Sequence, residues 1–148
     1  MKIRLIILLL LFVFVPVEFA VCVPAQRTLY VPAVINENYS EMIPISVETV
    51  PGTGLAYISI GATIGPYTQE SEEIAAKVAY TMVDIKECDI LLRIDTSDSI
   101  RKIDGPSAGA AMTILMLSAL KNEQLRQDFA ITGTIEENGN IGSVGGIP

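Results

Sequence analysis

Asp104-Gly105-Pro106-Ser107-Ala108-Gly109 is the stretch on which the reading of this chain turns. Pro106 has no backbone N–H to lose, and its φ already suits the first turn of a helix. The apolar run after it (Ala110, Ala111, Met112, Ile114, Leu115, Met116, Leu117) predicts a buried helix from Pro106 to about Leu120. Ser107 therefore sits in the opening turn, with only small side chains beside it. Unpaired N–H groups and the positive end of the helix dipole favour negative charge there. An acyl-transfer nucleophile and its oxyanion need that environment. A serine at a helix start is also the ordinary choice for a cap, so the hexapeptide by itself leaves both readings open.

Upstream of this stretch, Ile43, Ile45 and Val47 alternate with Pro44, Ser46 and Glu48, which predicts a strand over 43–50. Pro51-Gly52-Thr53-Gly54 reads as a turn and Leu55 to Ile60 as a second strand, so the two would form a hairpin. Pro-Gly-Thr-Gly is not a phosphate loop, because Leu55 and Ala56 stand where Lys and Ser or Thr are required. Ser71-Glu72-Glu73 predicts a helix start, continued by Ile74, Ala75, Val78, Ala79 and Met82. Asp89 to Asp95 is a short apolar strand, and a polar loop over 96–103 delivers the chain to Ser107. Downstream, Phe129 to Ile135 reads as a strand, Glu136-Glu137-Asn138-Gly139 as a reverse turn, and Asn140 to Val144 as the returning strand.

Three features in order carry a resemblance: Asp104 to Gly109 entering an apolar helix, then Ile131-Thr132-Gly133-Thr134-Ile135, then Gly142-Ser143-Val144-Gly145-Gly146. Together they resemble the proteolytic domain of the Lon protease family, which uses a serine–lysine dyad. The likeness covers roughly residues 43–148. It implies an α+β fold with a mixed β-sheet and packed helices. It also implies that Ser107 is the nucleophile of a serine endopeptidase. Asp104 matches an acid that in some members lies close to the dyad, although a helix-capping role fits it as well. Thr132 matches a threonine whose hydroxyl can hydrogen-bond the lysine, or else is an ordinary β-branched strand residue. Gly145-Gly146 matches the turn that leads to the lysine, which in the family pattern falls two positions beyond Pro148.

A serine hydroxyl needs a partner to take its proton, so the lysines of this chain matter. Lys121 lies fourteen residues after Ser107, roughly 21 Å along a helix, and cannot reach. Ala110 stands where a Ser-x-x-Lys arrangement needs its lysine. Lys77 and Lys86 read as solvated charges near the earlier helix. Lys102 is the one local candidate, more simply read as an exposed loop charge.

The remaining features bound location and partners. The chain has 148 residues, enough for one domain, and a net charge of −7. Met1-Lys2-Ile3-Arg4 is a positive n-region, Leu5 to Val15 is unbroken apolar sequence, and Val23-Pro24-Ala25 offers a cut after Ala25. Residues 1–25 are thus expected to be a signal peptide or membrane-anchor helix, with 5–23 as the possible span. Residues 26–42 then form a linker or edge segment, and 43–148 a partial proteolytic domain. The domain is expected outside the cytoplasm, secreted or membrane-anchored. Cleavage would remove Lys2, Arg4 and Glu18 from the 10 basic and 17 acidic residues, leaving a net charge of −8. An acidic domain of this kind repels phosphate backbones, so no nucleic-acid partner is expected. Cleavage would also leave Cys88 alone and unable to form an intrachain disulfide. With no histidine, a Ser-His-Asp triad is excluded and a transition-metal site or other cofactor is not expected. Asn38-Tyr39-Ser40 is a glycosylation sequon. By the resemblance, the partners are peptide or unfolded-protein substrates and a possible homo-oligomeric ring. The alternative is a non-catalytic binding or assembly module that keeps Ser107 only as a cap.

Overall fold

The structure is a computed structural model and describes residues 21–36, 39–59, 63–83, 85, 87–96 and 102–146. Four strands make the main sheet: β1 (Ala25–Asn36), β2 (Tyr39–Pro51), β3 (Ala56–Ser59) and β5 (Cys88–Ile94), in the order β1-β2-β5-β3. β1/β2 and β2/β5 are antiparallel and β3/β5 is parallel, so the sheet is mixed as expected. A two-stranded parallel pair, β4 (Thr63–Ile64) with β6 (Lys102–Ile103), and a small hairpin, β7 (Thr134–Ile135) with β8 (Ile141–Gly142), complete the strands. The helices are α1 (Pro66–Val83) and α2 (Gly109–Leu120).

The sheet buries one face because its strands alternate. Leu29 and Val31 of β1 lie opposite Ile45 and Ile43 of β2, and Val47 and Thr49 lie opposite Leu92 and Ile90 of β5. All eight are buried. α2 packs on β1 and β2 and against α1. Its side chains Ala111, Met112, Leu115, Met116 and Ala119 are fully buried, as a helix apolar all round requires. Each Leu, Ile or Met buried this way contributes about 1.5–3 kcal/mol. Arg27 points inward from β1 and donates from Nε to Glu123 O (2.6 Å) and from Nη2 to Asn122 Oδ1 (2.9 Å). It thereby places a cation at the C-terminal end of α2, where the dipole favours one.

Five expectations are corrected. β2 and β3 do not form a hairpin, because β5 lies between them and takes β3 as a parallel neighbour. The reason lies in Asp89, whose Oδ1 accepts N–H groups from Thr53, Gly54 and Leu55. Asp89 thus wraps the Pro51–Gly54 loop around the start of β5. α1 begins at Pro66, five residues before the expected start, and Ser71 lies buried in its interior. The strand expected over 129–135 is reduced to Thr134–Ile135, because Gly133 bonds to the Ser107 turn instead. The returning strand shortens to Ile141–Gly142. The reverse turn between them is present, with Gly139 at φ 85° and its N–H on Glu136 O at 2.8 Å.

The last correction concerns cysteine. Cys22 and Cys88 form a disulfide joining the segment before β1 to the first residue of β5. The same segment is tied further by Thr49, whose Oγ1 donates to Val23 O and accepts from Ala25 N, both at 3.1 Å. A cut after Ala25 would remove Cys22, so this bridge and that cut exclude each other. Residues 26–36 lie in β1, at the sheet edge. The apolar run over 5–15, Lys86 and Asn38 of the sequon lie outside the described residues. Among the described residues no helix is long and apolar enough to cross a membrane.

Candidate active site

The turn that carries Ser107 is held by α1, an element more than thirty residues earlier in the chain. β4–β6 pairing sets Ile64 beside Ile103 and brings the start of α1 to the loop. From there four successive residues are fastened. Ile103 O accepts from Gly65 N (2.7 Å), and Asp104 Oδ1 from Tyr67 N (3.1 Å). Gly105 O accepts from Thr68 Oγ1 (3.1 Å), and Pro106 O from Ser71 Oγ (3.3 Å). Ser107 O is taken from the other side, by Gly133 N (2.8 Å) and Thr132 Oγ1 (3.1 Å). Asp104 therefore caps α1, not the helix that follows it in sequence.

This fastening explains the glycines around the serine. A Cβ on Gly109 would lie 2.6 Å from Ser71 Oγ and 2.9 Å from the Ile135 backbone N, so α2 must begin with a residue that has none. A Cβ on Gly65 would overlap the Asp104 carboxylate. Gly105 takes φ +139°, which a side chain rarely tolerates.

Once the carbonyls are paired, the donors remain. Ala108, at the N-cap of α2, makes no side-chain capping bond. Among the described residues, neither the Ser107 N–H nor the Ala108 N–H meets an acceptor, and the Ser107 hydroxyl makes no hydrogen bond. Ser107 is half-buried and lines a cavity of about 290 Å³. One wall is apolar, from Val31, Ala33, Ile43, Ile45 and Ile94; the other carries Asp104, Ser107, Ala108 and Thr132. Gly145 of the terminal glycine turn lines the same cavity, and Gly146 approaches Val34. Ser107 and the terminal glycine turn thus share one cavity.

The structure thus gathers Ser107, Asp104 and Thr132 around one cavity. Thr132 donates its proton to the Ser107 carbonyl and keeps oxygen lone pairs able to accept from an amine. Lys102 also lines the cavity, but its side chain is 63% exposed and its Nζ lies 3.5 Å from Asp104 Oδ2, an ion pair at the rim. Lys77 pairs with Glu137 at the surface (3.0 Å), and Lys121 ends α2 at the pole opposite Ser107. One turn past Thr68, Glu72 is buried, and its Oε1 has no partner among the described residues. Burial, and secondly the Glu73 charge, push its carboxyl above the usual range. Thr68 and Ser71 are the site residues that sequence reasoning missed. Their partners are thirty-five or more positions away, and the only local trace is their place on the buried stripe of α1.

Comparison with known proteins completes the assignment. Residues 36–148 match the family described as the Lon protease (S16) C-terminal proteolytic domain. The archaeal Lon protease of Methanocaldococcus jannaschii is 38% identical over 102 residues, covering 66% of this chain and 16% of its own length. The Lon protease of Malacoplasma penetrans is 33% identical over 131 residues, covering 80% of this chain and 16% of its own. That of Fusobacterium nucleatum is 27% identical over 114 residues, 71% of this chain and 15% of its own. The chain thus spans about one-sixth of the length of the curated relatives it matches. The order of motifs, the mixed sheet and these matches agree: the chain belongs to the Lon protease family, through its C-terminal proteolytic domain.

Proposed function

We propose that this domain is a serine endopeptidase in which Ser107 attacks the peptide carbonyl. A lysine two positions beyond Pro148 takes the proton. The observation that carries the proposal is half-buried Ser107 on the wall of a cavity that Gly145 also lines. The unpaired N–H groups of Ser107 and Ala108 are the oxyanion donors. A lysine amine normally titrates near about 10.4, and the apolar wall of the cavity would lower that value by disfavouring the ammonium. Thr132 steadies the amine, and Asp104 supports the site by capping α1.

The substrates are peptides or already unfolded proteins, and a homo-oligomeric ring is the expected assembly, both by kinship with the Lon family. A location outside the cytoplasm, secreted or held by a retained anchor, is supported by the apolar N-terminal sequence. The Cys22–Cys88 bridge supports that placement, because disulfides persist in oxidising compartments. It also moves any signal cut to a point before Cys22.

The test is hydrolysis of an unfolded protein and a fluorogenic peptide by the full-length protein without ATP, beside Ser107→Ala. Cleavage by the wild type and none by the variant is expected. Equal cleavage by both would remove Ser107 from the chemistry. Absence of a lysine at the second position after Pro148 would leave a non-catalytic module.

A further inference from the structure

Two N–H groups beside one hydroxyl stabilise an oxyanion only if both point at it, and the directions of these two are set from elsewhere in the fold. A trans peptide is planar, so its C=O and N–H point opposite ways; none of the described peptide bonds is cis. The Ser107 N–H therefore points away from whatever holds the Pro106 C=O. That carbonyl accepts from Gly109 N (3.1 Å), a bond local to the turn, and from Ser71 Oγ (3.3 Å) on α1. By the same logic, Thr132 and Gly133 hold the Ser107 C=O and aim the Ala108 N–H.

We propose that Ser71 is a positioning residue for the peptidase reaction: by drawing the Pro106 carbonyl toward α1, it aims the Ser107 N–H into the cavity at the developing oxyanion. This rests on the reading of Ser107 as nucleophile. Three features of Ser71 separate the role from packing. Its residue is 3% exposed, so it touches no substrate and acts through the turn alone. An alanine would fill most of the same volume, so packing does not demand the hydroxyl. The hydroxyl has a single partner, the Pro106 carbonyl, and it occupies the space that the missing Cβ of Gly109 leaves. Thr68 acts alongside it on the preceding carbonyl, at Gly105, and keeps the turn from rotating as a unit.

The experiment compares Ser71→Ala, Ser71→Cys and Ser107→Ala with wild type in the full-length protein. Three quantities are read: kcat and KM on a fluorogenic peptide, and the affinity of a peptidyl boronate. The tetrahedral adduct of the boronate draws on the oxyanion donors, whereas the ground-state peptide does not. Removing an oxyanion donor outright costs about 10²–10³ in kcat, and misaiming one costs part of that. Ser71→Ala is expected to lower kcat about tenfold, to leave KM within about twofold, and to weaken the boronate by the same factor as kcat. Ser71→Cys, a weak donor of similar size, should fall between the two, and it decides the matter if the alanine variant does not fold. Wild-type kcat and boronate affinity in Ser71→Ala, or a loss carried only by KM, would overturn the inference. If Ser107→Ala is inactive while Ser71→Ala is unimpaired, only the positioning role fails. If Ser107→Ala still cleaves, the underlying reading fails with it.

Discussion

Breaking the Cys22–Cys88 bridge tests the fold where sequence reading and structure part most sharply. The perturbation is Cys88→Ser, or reduction of the wild type with a phosphine. Both cysteines are buried and separated by 66 positions. In the chain-entropy account, closing a loop of that length removes unfolded-state freedom equivalent to about 4 kcal/mol at 25 °C. The reduced thiols stay in place, so little packing is lost and the entropic term dominates. For a domain of this size, with a urea dependence of about 2 kcal/mol per molar, the midpoint should fall by about 2 M. The assay is urea denaturation of the protein isolated from an oxidising compartment, followed by circular dichroism with and without reductant. Intact mass should show a mature N-terminus before Cys22. A midpoint indifferent to reductant, or a mature chain beginning at Gln26, would refute the reasoning.

Two further outcomes follow from the geometry. Gly109→Ala places a Cβ against Ser71 Oγ and the Ile135 backbone, and the backbone cannot yield. It should cost about 1–3 kcal/mol in urea denaturation and lower kcat as the Ser107 turn shifts; wild-type stability would contradict the close approach. Glu72 titrates above the usual value of 4.5 because it is buried. A carboxyl raised in the folded state contributes stability that is complete below its unfolded pKa and is lost as pH rises through the folded one. Glu72→Gln should therefore match the wild type near pH 4 and be the more stable of the two at pH 8. Parallel stability–pH curves for the two proteins would refute the burial of an ionising group there.

Local signals were read well where the physics is local. The alternation of Ile43, Ile45 and Val47 marks β2, the Asn138-Gly139 turn marks the β7–β8 hairpin, and the apolar run after Gly109 marks α2. What escaped depends on partners far away in sequence. β5 separates β2 from β3 through a parallel pairing that crosses α1, and Asp89 reaches back more than thirty residues to shape the loop. Ser71 carried the signature of a helix cap, yet Asp104 performs that task for α1 from across the loop, which frees Ser71 for Pro106. Expecting a cut after Ala25 hid the disulfide, because it discarded one of the two cysteines. At the site, the motif around Ser107 was legible because close backbone approach demands those glycines. The hydroxyl clamps from α1 left no local pattern.

The residue on which an acyl group lands is the most direct test of Ser107 as the nucleophile. The full-length protein would be mixed with a peptidyl p-nitrophenyl ester, whose fast-leaving phenolate lets the acyl-enzyme accumulate. It would then be quenched in acid, digested with trypsin and read by mass spectrometry. The predicted result is a single acyl adduct on the tryptic peptide Ile103–Lys121, fragmenting to Ser107. An adduct on Ser118 of the same peptide or on any other residue, or turnover of the ester with Ser107 unmodified at every time point, would contradict it.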